Sequence, residues 1–188
     1  MIIRDIIASA FRKARIIASG ETPNADEEGD ALIAFQALIL EHPGIIGVKW
    51  RDVFATSSTA LTAKDGQRII VGDYIPAVTF PLTVDGCCST LQTGLFARVR
   101  VDGGPNEGFH IFSDEWRRAD ALTVDDENPL GPETNNGLAA QLAARIAPDY
   151  GADVSGSVAL EAVRSERFIR SKFYRRPCCC YPLFRDYW

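Results

Sequence analysis

The sequence predicts a mainly α protein: a four-helix body, two helices from the N-terminal side and two from the C-terminal side, with an inserted small antiparallel β lobe and an extended C-terminal arm. Three observations carry that expectation. Apolar residues recur every three to four positions in two segments before residue 44 and in two more beyond residue 136. Between them, from Ile45 to Trp116, β-branched and aromatic residues come in short runs divided by turn residues. The last twelve residues, PCCCYPLFRDYW, are rich in aromatics, interrupted by two prolines and without period.

Residues 1–44 read as a helical hairpin. Residues 2 to 19 place Ile3, Ile6, Ile7, Ala10, Phe11, Ala14 and Ile17 on one side, with Arg4, Arg12, Lys13 and Arg15 mostly elsewhere. Gly20 is expected to end this helix, and Thr22-Pro23 to open the next, since Thr accepts from an orphan N–H and Pro suits the first helical position. Asp26, Glu27 and Glu28 then sit where a helix N-terminus favours negative charge. The second helix runs to about Glu41, burying Leu32, Phe35, Leu38 and Ile39, and His42-Pro43-Gly44 stops it. A short link implies that the two pack as an antiparallel hairpin.

Residues 45–116 form the β lobe. Within it Phe96-Ala97-Arg98-Val99-Arg100-Val101 alternates apolar and charged, the pattern of a strand with one wet face, and Asp102-Gly103-Gly104-Pro105 supplies a turn. Residues 117–176 complete the helical body. An acidic loop containing Pro129 and Pro132, in which Asp125, Asp126, Asn128, Asn135 and Asn136 can bond nearby backbone, delivers an alanine-rich helix with Leu138, Leu142 and Ile146 at spacing four, closed by Pro148. After a break at Gly151 a fourth helix runs from about Ser155 to Tyr174, with Val158, Ala162, Phe168, Ile169 and Phe173 toward the core, until Arg175-Arg176-Pro177 ends it. The arm is residues 177–188.

Length and composition exclude several classes. At 188 residues and 46% hydrophobic content the chain can bury a real core. Its apolar runs fall short of the roughly 20 residues of a membrane span, and the opening segment carries charges through its middle, unlike a signal peptide, so the expectation is a cytosolic product with no membrane partner. Cys87 and Cys88, and Cys178, Cys179 and Cys180, are contiguous, which suits reduced thiols better than disulfides. Contiguous sulfurs also converge poorly on one ion, and His42 and His110 sit in no ligand pattern, so no metal is expected. No nucleophile elbow, P-loop or dinucleotide fingerprint occurs; no catalytic residue and no cofactor are expected. The carboxylate clusters are explained by helix N-termini and loop solvation more readily than by a two-carboxylate glycosidase site.

Charge is unevenly spread. From Arg164 to Trp188 seven basic residues face two acidic ones, net +5, leaving −10 for the first 163 positions of a chain whose total is −5. Such a split favours contact between unlike regions of neighbouring molecules or with an acidic partner. Tyr181, Leu183, Phe184, Tyr187 and Trp188 are too many aromatics and large apolar groups to leave in water, and imply a docking surface flanked by Arg175, Arg176 and Arg185, which suit bidentate pairs to acidic groups.

The run DDENPL before GLAAQLAARIAPDYG, together with the opening DIIASAFRKARIIASGETPNADEEGDALIAFQALI, resembles the head-to-tail connector (adaptor) proteins of tailed bacteriophages, a family that includes the tail accessory factor of short-tailed phages. The resemblance covers a little over half the chain; residues 45 to 116 correspond to a variable insertion. It implies a non-enzymatic virion protein made in the host cytoplasm and placed at the head-tail interface as a ring, typically twelve-fold, under the portal. The implied partners are the portal protein, neighbouring copies, a downstream tail or stopper protein, and DNA passing without sequence-specific contact. Phe173, Tyr174, Arg175, Arg176, Tyr181, Phe184, Arg185, Tyr187 and Trp188 are then the expected contacts to portal or neighbour. A tail-associated peptidoglycan hydrolase and a host-encoded binding module are the rival readings.

Overall fold

The computed structural model describes residues 1–42, 51–55, 66–71, 96–104, 107–113 and 116–173. It holds four helices, α1 (Ile3–Lys13), α2 (Ala25–Glu41), α3 (Asn135–Ile146) and α4 (Gly156–Phe173), and five strands, β1 (Arg51–Ala55), β2 (Gln67–Val71), β3 (Ala97–Asp102), β4 (Gly108–Phe112) and β5 (Trp116–Arg118). The mainly α reading with a β lobe therefore holds at that level.

Helix α1 ends well before Gly20. Arg15 adopts a left-handed backbone, φ 59°, and the N–H groups of Arg15 and Ile16 bond back to the carbonyls of Arg12 and Phe11, each at 3.0 Å. That pair of bonds closes the helix as a glycine usually would, here with arginine in the strained position. The buried face is as the periodicity required: Ile3, Ile6, Ile7, Ala10, Phe11 and Ala14 are fully enclosed. Helix α2 starts two residues later than Thr22-Pro23 implied, because Asn24 makes the better cap. Its Oδ1 accepts from the Glu27 N–H at 2.9 Å while Glu27 Oε2 accepts from the Asn24 N–H at 2.8 Å, a reciprocal capping box. Phe35 and Ile39 are fully buried, with Leu32 and Leu38 partly so.

Residues 14–24 are a longer link than a tight hairpin uses. Arg4, in the first turn of α1, bonds Glu28, in the first turn of α2, at 2.9 Å. The main partner of α1 is instead α3, which also packs against α4 and α2 and so forms the centre of the body. Small side chains make that possible. A Cβ added at Gly137 would lie 2.3 Å from the Cβ of Ser165 on α4, and Gln141 Nε2 donates to Ser165 Oγ at 3.0 Å beside this close approach. Leu138, Leu142 and Ile146 are buried as expected. Beyond Ile146 the chain tightens into a 3-10 turn, Ala147–Tyr150, that carries Pro148 and ends at Gly151 with φ 62°. On α4, Ile169 and Phe173 are buried, but Phe168 is exposed, contrary to the core position its spacing suggested.

The acidic loop before α3 is built around a buried amide. Asn128 Nδ2 lies 2.9 Å from the Gly131 carbonyl, 2.8 Å from Thr134 Oγ1 and 2.8 Å from Asn135 Oδ1, and its Oδ1 accepts from the Leu130 N–H at 3.0 Å. Gly131 is needed there because its φ is 82°. Upstream, the carbonyls of Asp126 and Val124 accept from the N–H groups of Ile3 and Arg4, both at 2.9 Å. Those donors belong to the first turn of α1, which has no intrahelical partners for them and no side-chain cap.

The sheet is mixed, not antiparallel. Its order is β1-β2-β3-β4-β5, with β1, β2 and β3 parallel and β3, β4 and β5 antiparallel. Parallel neighbours need long connections between them, and a run of short strands cannot reveal by composition which strands are joined that way. The wet-face expectation for β3 is met in part: the valine face is buried, and the arginine face is only partly exposed. Val99 and Val101 are buried on one face; the other face, carrying Arg98 opposite Ile111 and Arg100 opposite Phe109, turns toward the helices. Arginine stems and guanidinium planes tolerate this by lying on rings: Arg98 stands 5.5 Å from the centre of Phe173 and Arg100 5.3 Å from that of Phe109.

Phe96, Ile111, Ala119 and Leu122 share one continuous core with the four helices. The sheet is thus packed into the body, and its last strand runs to Arg118, past the expected limit at residue 116. Replacing Phe96 by Ala is expected to destabilise the whole fold by about 3–5 kcal/mol, read as one cooperative denaturant transition. A sheet signal lost separately from the helical one would show the two to be independent. Asn128→Ala, which strands buried polar partners, is expected to cost roughly 2–4 kcal/mol, and Asn128→Asp at least as much near neutral pH, since a carboxylate would face three oxygens. Equal stability of Asn128→Asp and native chain in urea titrations would contradict this role.

Candidate partner-binding surface

The sequence places the docking residues at the end of α4 and beyond. Of the nine, Tyr174, Arg175, Arg176, Tyr181, Phe184, Arg185, Tyr187 and Trp188 lie outside the described residues. Phe173 is described and is 6% exposed, its ring edge-on to Phe96 with centroids 5.3 Å apart and an interplanar angle of 72°. It is committed to the chain's own core and anchors the end of α4 rather than a partner. The Phe96 N–H donates to the Lys172 carbonyl at 3.0 Å, so the start of β3 satisfies a carbonyl that the helix end leaves open. Lys172 Nζ stands 5.0 Å from the Phe168 ring centre and 6.0 Å from that of Phe96. Helix, strand and cation together fix the point from which the chain continues.

Outward from this junction, α4 presents a face that periodicity alone assigned to the core or left unread. Leu160, Val163, Arg164, Arg167 and Phe168 follow at helical spacings of three, four, seven and eight from the first, and all are exposed. Arg170 pairs with Glu166 at 2.5 Å, and Lys13 of α1 reaches Glu161 at 2.7 Å. Arg164 and Arg167 have no such partner among the described residues. The signal available in the sequence was that α4 carries apolar residues on two sides, Ile169 and Phe173 on one and Leu160, Val163 and Phe168 on another.

A concave feature lies at the end of the β3–β4 hairpin, a cleft of about 360 Å³ lined by Arg100, Asp102, Glu107, Phe109, Arg118 and Asp120 among others. Asp102 is shared by Arg68 and by Arg100, the latter at 2.6 Å, and Arg118 Nε meets Asp120 at 2.7 Å. Gly108 lines the cleft; its φ of 138° would strain any other residue there, and an added Cβ would lie 2.7 Å from Asp120 Oδ1. Partial burial works to raise the Asp102 carboxyl, but the two guanidiniums outweigh it and hold it below the usual carboxylate range. Asp102 and Asp120 are thus paired with arginines, while Glu107, which also lines the cleft, lies at its exposed edge. Among the described residues no group of three or more His, Cys, Asp or Glu side chains is placed to hold a metal ion; all five cysteines lie outside them. No helix of the described chain is long and apolar enough to cross a membrane.

At the end of α2, His42 is 3% exposed and its Nε2 has no hydrogen-bond partner among the described residues. Next to it Glu41 forms a two-pronged pair with Arg145 at 2.7 and 2.8 Å, which holds the Glu41 carboxyl below its ordinary range and raises the guanidinium. Burial pushes the His42 imidazole down to about 4, with Glu166 opposing that shift and Arg170 adding to it.

Comparison with protein-family models finds no match, and comparison with curated proteins finds no relative.

A depressed histidine sets a pH window for stability. Above the ordinary value of 6.5 His42 is neutral whether folded or not; as pH falls from 6.5 toward about 4 only the unfolded chain gains the proton. Stability is therefore full above that window and declines through it, by roughly 2–4 kcal/mol. Glu41 and Asp102, held below their usual range, act at still lower pH. In thermal melts across pH, His42→Gln is expected to flatten the decline between about pH 6.5 and 4.5. Parallel native and variant curves would remove His42 as its source.

Proposed function

We propose that this chain is a virion structural protein, a head-to-tail adaptor that forms a ring under the portal, extends the DNA channel and offers a platform to the next tail component. The observation that carries the reading is the junction at Phe173. The body there ends on a buried ring and a backbone bond from β3 to Lys172, so an arm of residues 177–188 would leave from a fixed origin. An attachment device needs that property, because a rigid origin lowers the freedom lost when the arm docks.

Two further features support it. The segments that carry the resemblance, DDENPL with the following helix and the N-terminal helices, meet where the Ile3 and Arg4 N–H groups donate to the Asp126 and Val124 carbonyls. Asp102 and Asp120 of the sheet cleft are engaged by arginines, which suits a scaffold better than a two-carboxylate hydrolase. In this reading the partners are the portal protein, neighbouring copies, a downstream tail or stopper protein, and DNA passing through the channel.

The test compares the full chain with one lacking residues 177–188 for attachment to portal rings from the same genome. The shortened chain is expected to remain folded and soluble yet bind at least about 30-fold more weakly, since a single aromatic or arginine anchor often contributes about 2 kcal/mol or more. Unchanged affinity would overturn the adaptor mechanism, and turnover of peptidoglycan by the purified chain would favour the hydrolase.

A further inference from the structure

Apart from Met1 and Phe54, the exposed large apolar residues among those described fall into two groups that differ in the sign of the charge around them. On α4, Leu160 (49% exposed), Val163 (45%) and Phe168 (41%) alternate with Arg164 and Arg167. Lys172 lies against the Phe168 ring and adds a further cation. On α2, Asp26, Asp30 and Ile33 follow at spacings of four and seven, with Ile33 66% exposed. Tyr150, 40% exposed, stands edge-on to Phe11, and its hydroxyl is raised by burial and then by the charges of Glu27, Asp30 and Asp149. Asp26, Asp30 and Asp149 form no ion pair among the described residues. Each helix packs on α3 and barely on the other, so the two faces are not already joined within one chain.

Aspartates and arginines spread for solubility alone would be interspersed in sign. Here each face carries one sign around solvent-exposed apolar groups, and the signs are opposite. Contact of either face with its own copy would bring like charges together, which is unfavourable. Contact of α4 from one molecule with the α2 and Tyr150 face of the next brings Arg164 and Arg167 to Asp30 and Asp149 and covers Leu160, Val163, Phe168, Ile33 and Tyr150 at once.

We propose that copies of this chain associate head to tail through these two faces. Such a heterologous contact leaves one free face at each end and therefore propagates, closing as a ring where the rotation allows and otherwise extending. The proposal deepens the ring reading and rests on it for closure, whereas the pairing stands on the two faces. At low ionic strength the ion pairs act over the longest range, so added salt should weaken the contact.

The experiment is sedimentation velocity on the full chain over a range of concentration and salt, with two charge-reversal variants, R164E/R167E and D30K/D149K. The native chain is expected to self-associate at low salt. Each variant alone should associate about tenfold or more weakly, because its two faces then carry the same sign, with a melting temperature close to native. An equimolar mixture of the two should recover association, since every contact between unlike variants again joins opposite charges. A native chain that stays monomeric at low salt, reversals without effect, or a mixture that fails to recover would each overturn the proposal. Portal attachment separates the two readings: if it persists while reversals do nothing, the adaptor stands and this contact falls; if reversals behave as expected but portal rings are not bound, the contact stands and the adaptor falls.

Discussion

The buried amide of Asn128 is the interaction on which the rest of the body depends. It lies within hydrogen-bond distance of four groups between Leu130 and Asn135, and so turns a proline-containing loop into a rigid bracket that aims α3. The residues just before it supply carbonyls to the unpaired N–H groups of α1. One loop thereby sets the start of two helices that are far apart in sequence. A buried polar group of this kind stabilises only when its partners are all present, which makes the loop specific as well as firm.

With α3 so placed, its small side chains decide how closely the other helices approach. Gly137 admits Ser165, and the alanines Ala139, Ala140 and Ala143 are buried between neighbours. Close packing leaves room beside the helices for one face of the sheet, and Phe96 and Ile111 enter the same core. The arginines of β3 fit against that core because their cations rest on Phe173 and Phe109. The sheet therefore fixes where α4 ends, which is the property an attached arm would use.

Electrostatics is divided between structure and surface. Arg4, Arg145, Lys13 and the sheet arginines are spent on internal pairs, while Arg164, Arg167, Asp26, Asp30 and Asp149 are left to solvent beside apolar groups. The charge split seen along the chain thus has a spatial counterpart, but between faces of two helices as well as between body and C-terminal segment.

The sequence by itself determined the number, type and approximate limits of the helices and their inward faces, because a 3.6-residue period and a core requirement are both local in sequence: Ile3 to Ala14, Phe35 and Ile39, Leu138 to Ile146 are all buried as their spacing demands. It also marked the DDENPL loop as a turn, though not that Asn128 would be its buried centre. What only the tertiary structure decided was set by neighbours distant in the chain. The end of α1 at Arg15, the parallel pairing of β1, β2 and β3, and the stacking of Arg98 on Phe173 depend on which groups lie opposite. So does the fate of two phenylalanines five residues apart on α4. Phe173 is enclosed because Phe96 arrives from the sheet to meet it, and Phe168 is exposed because no described element covers its side of the helix. Spacing gives both a claim to the core, and only the packed partner decides which claim is met.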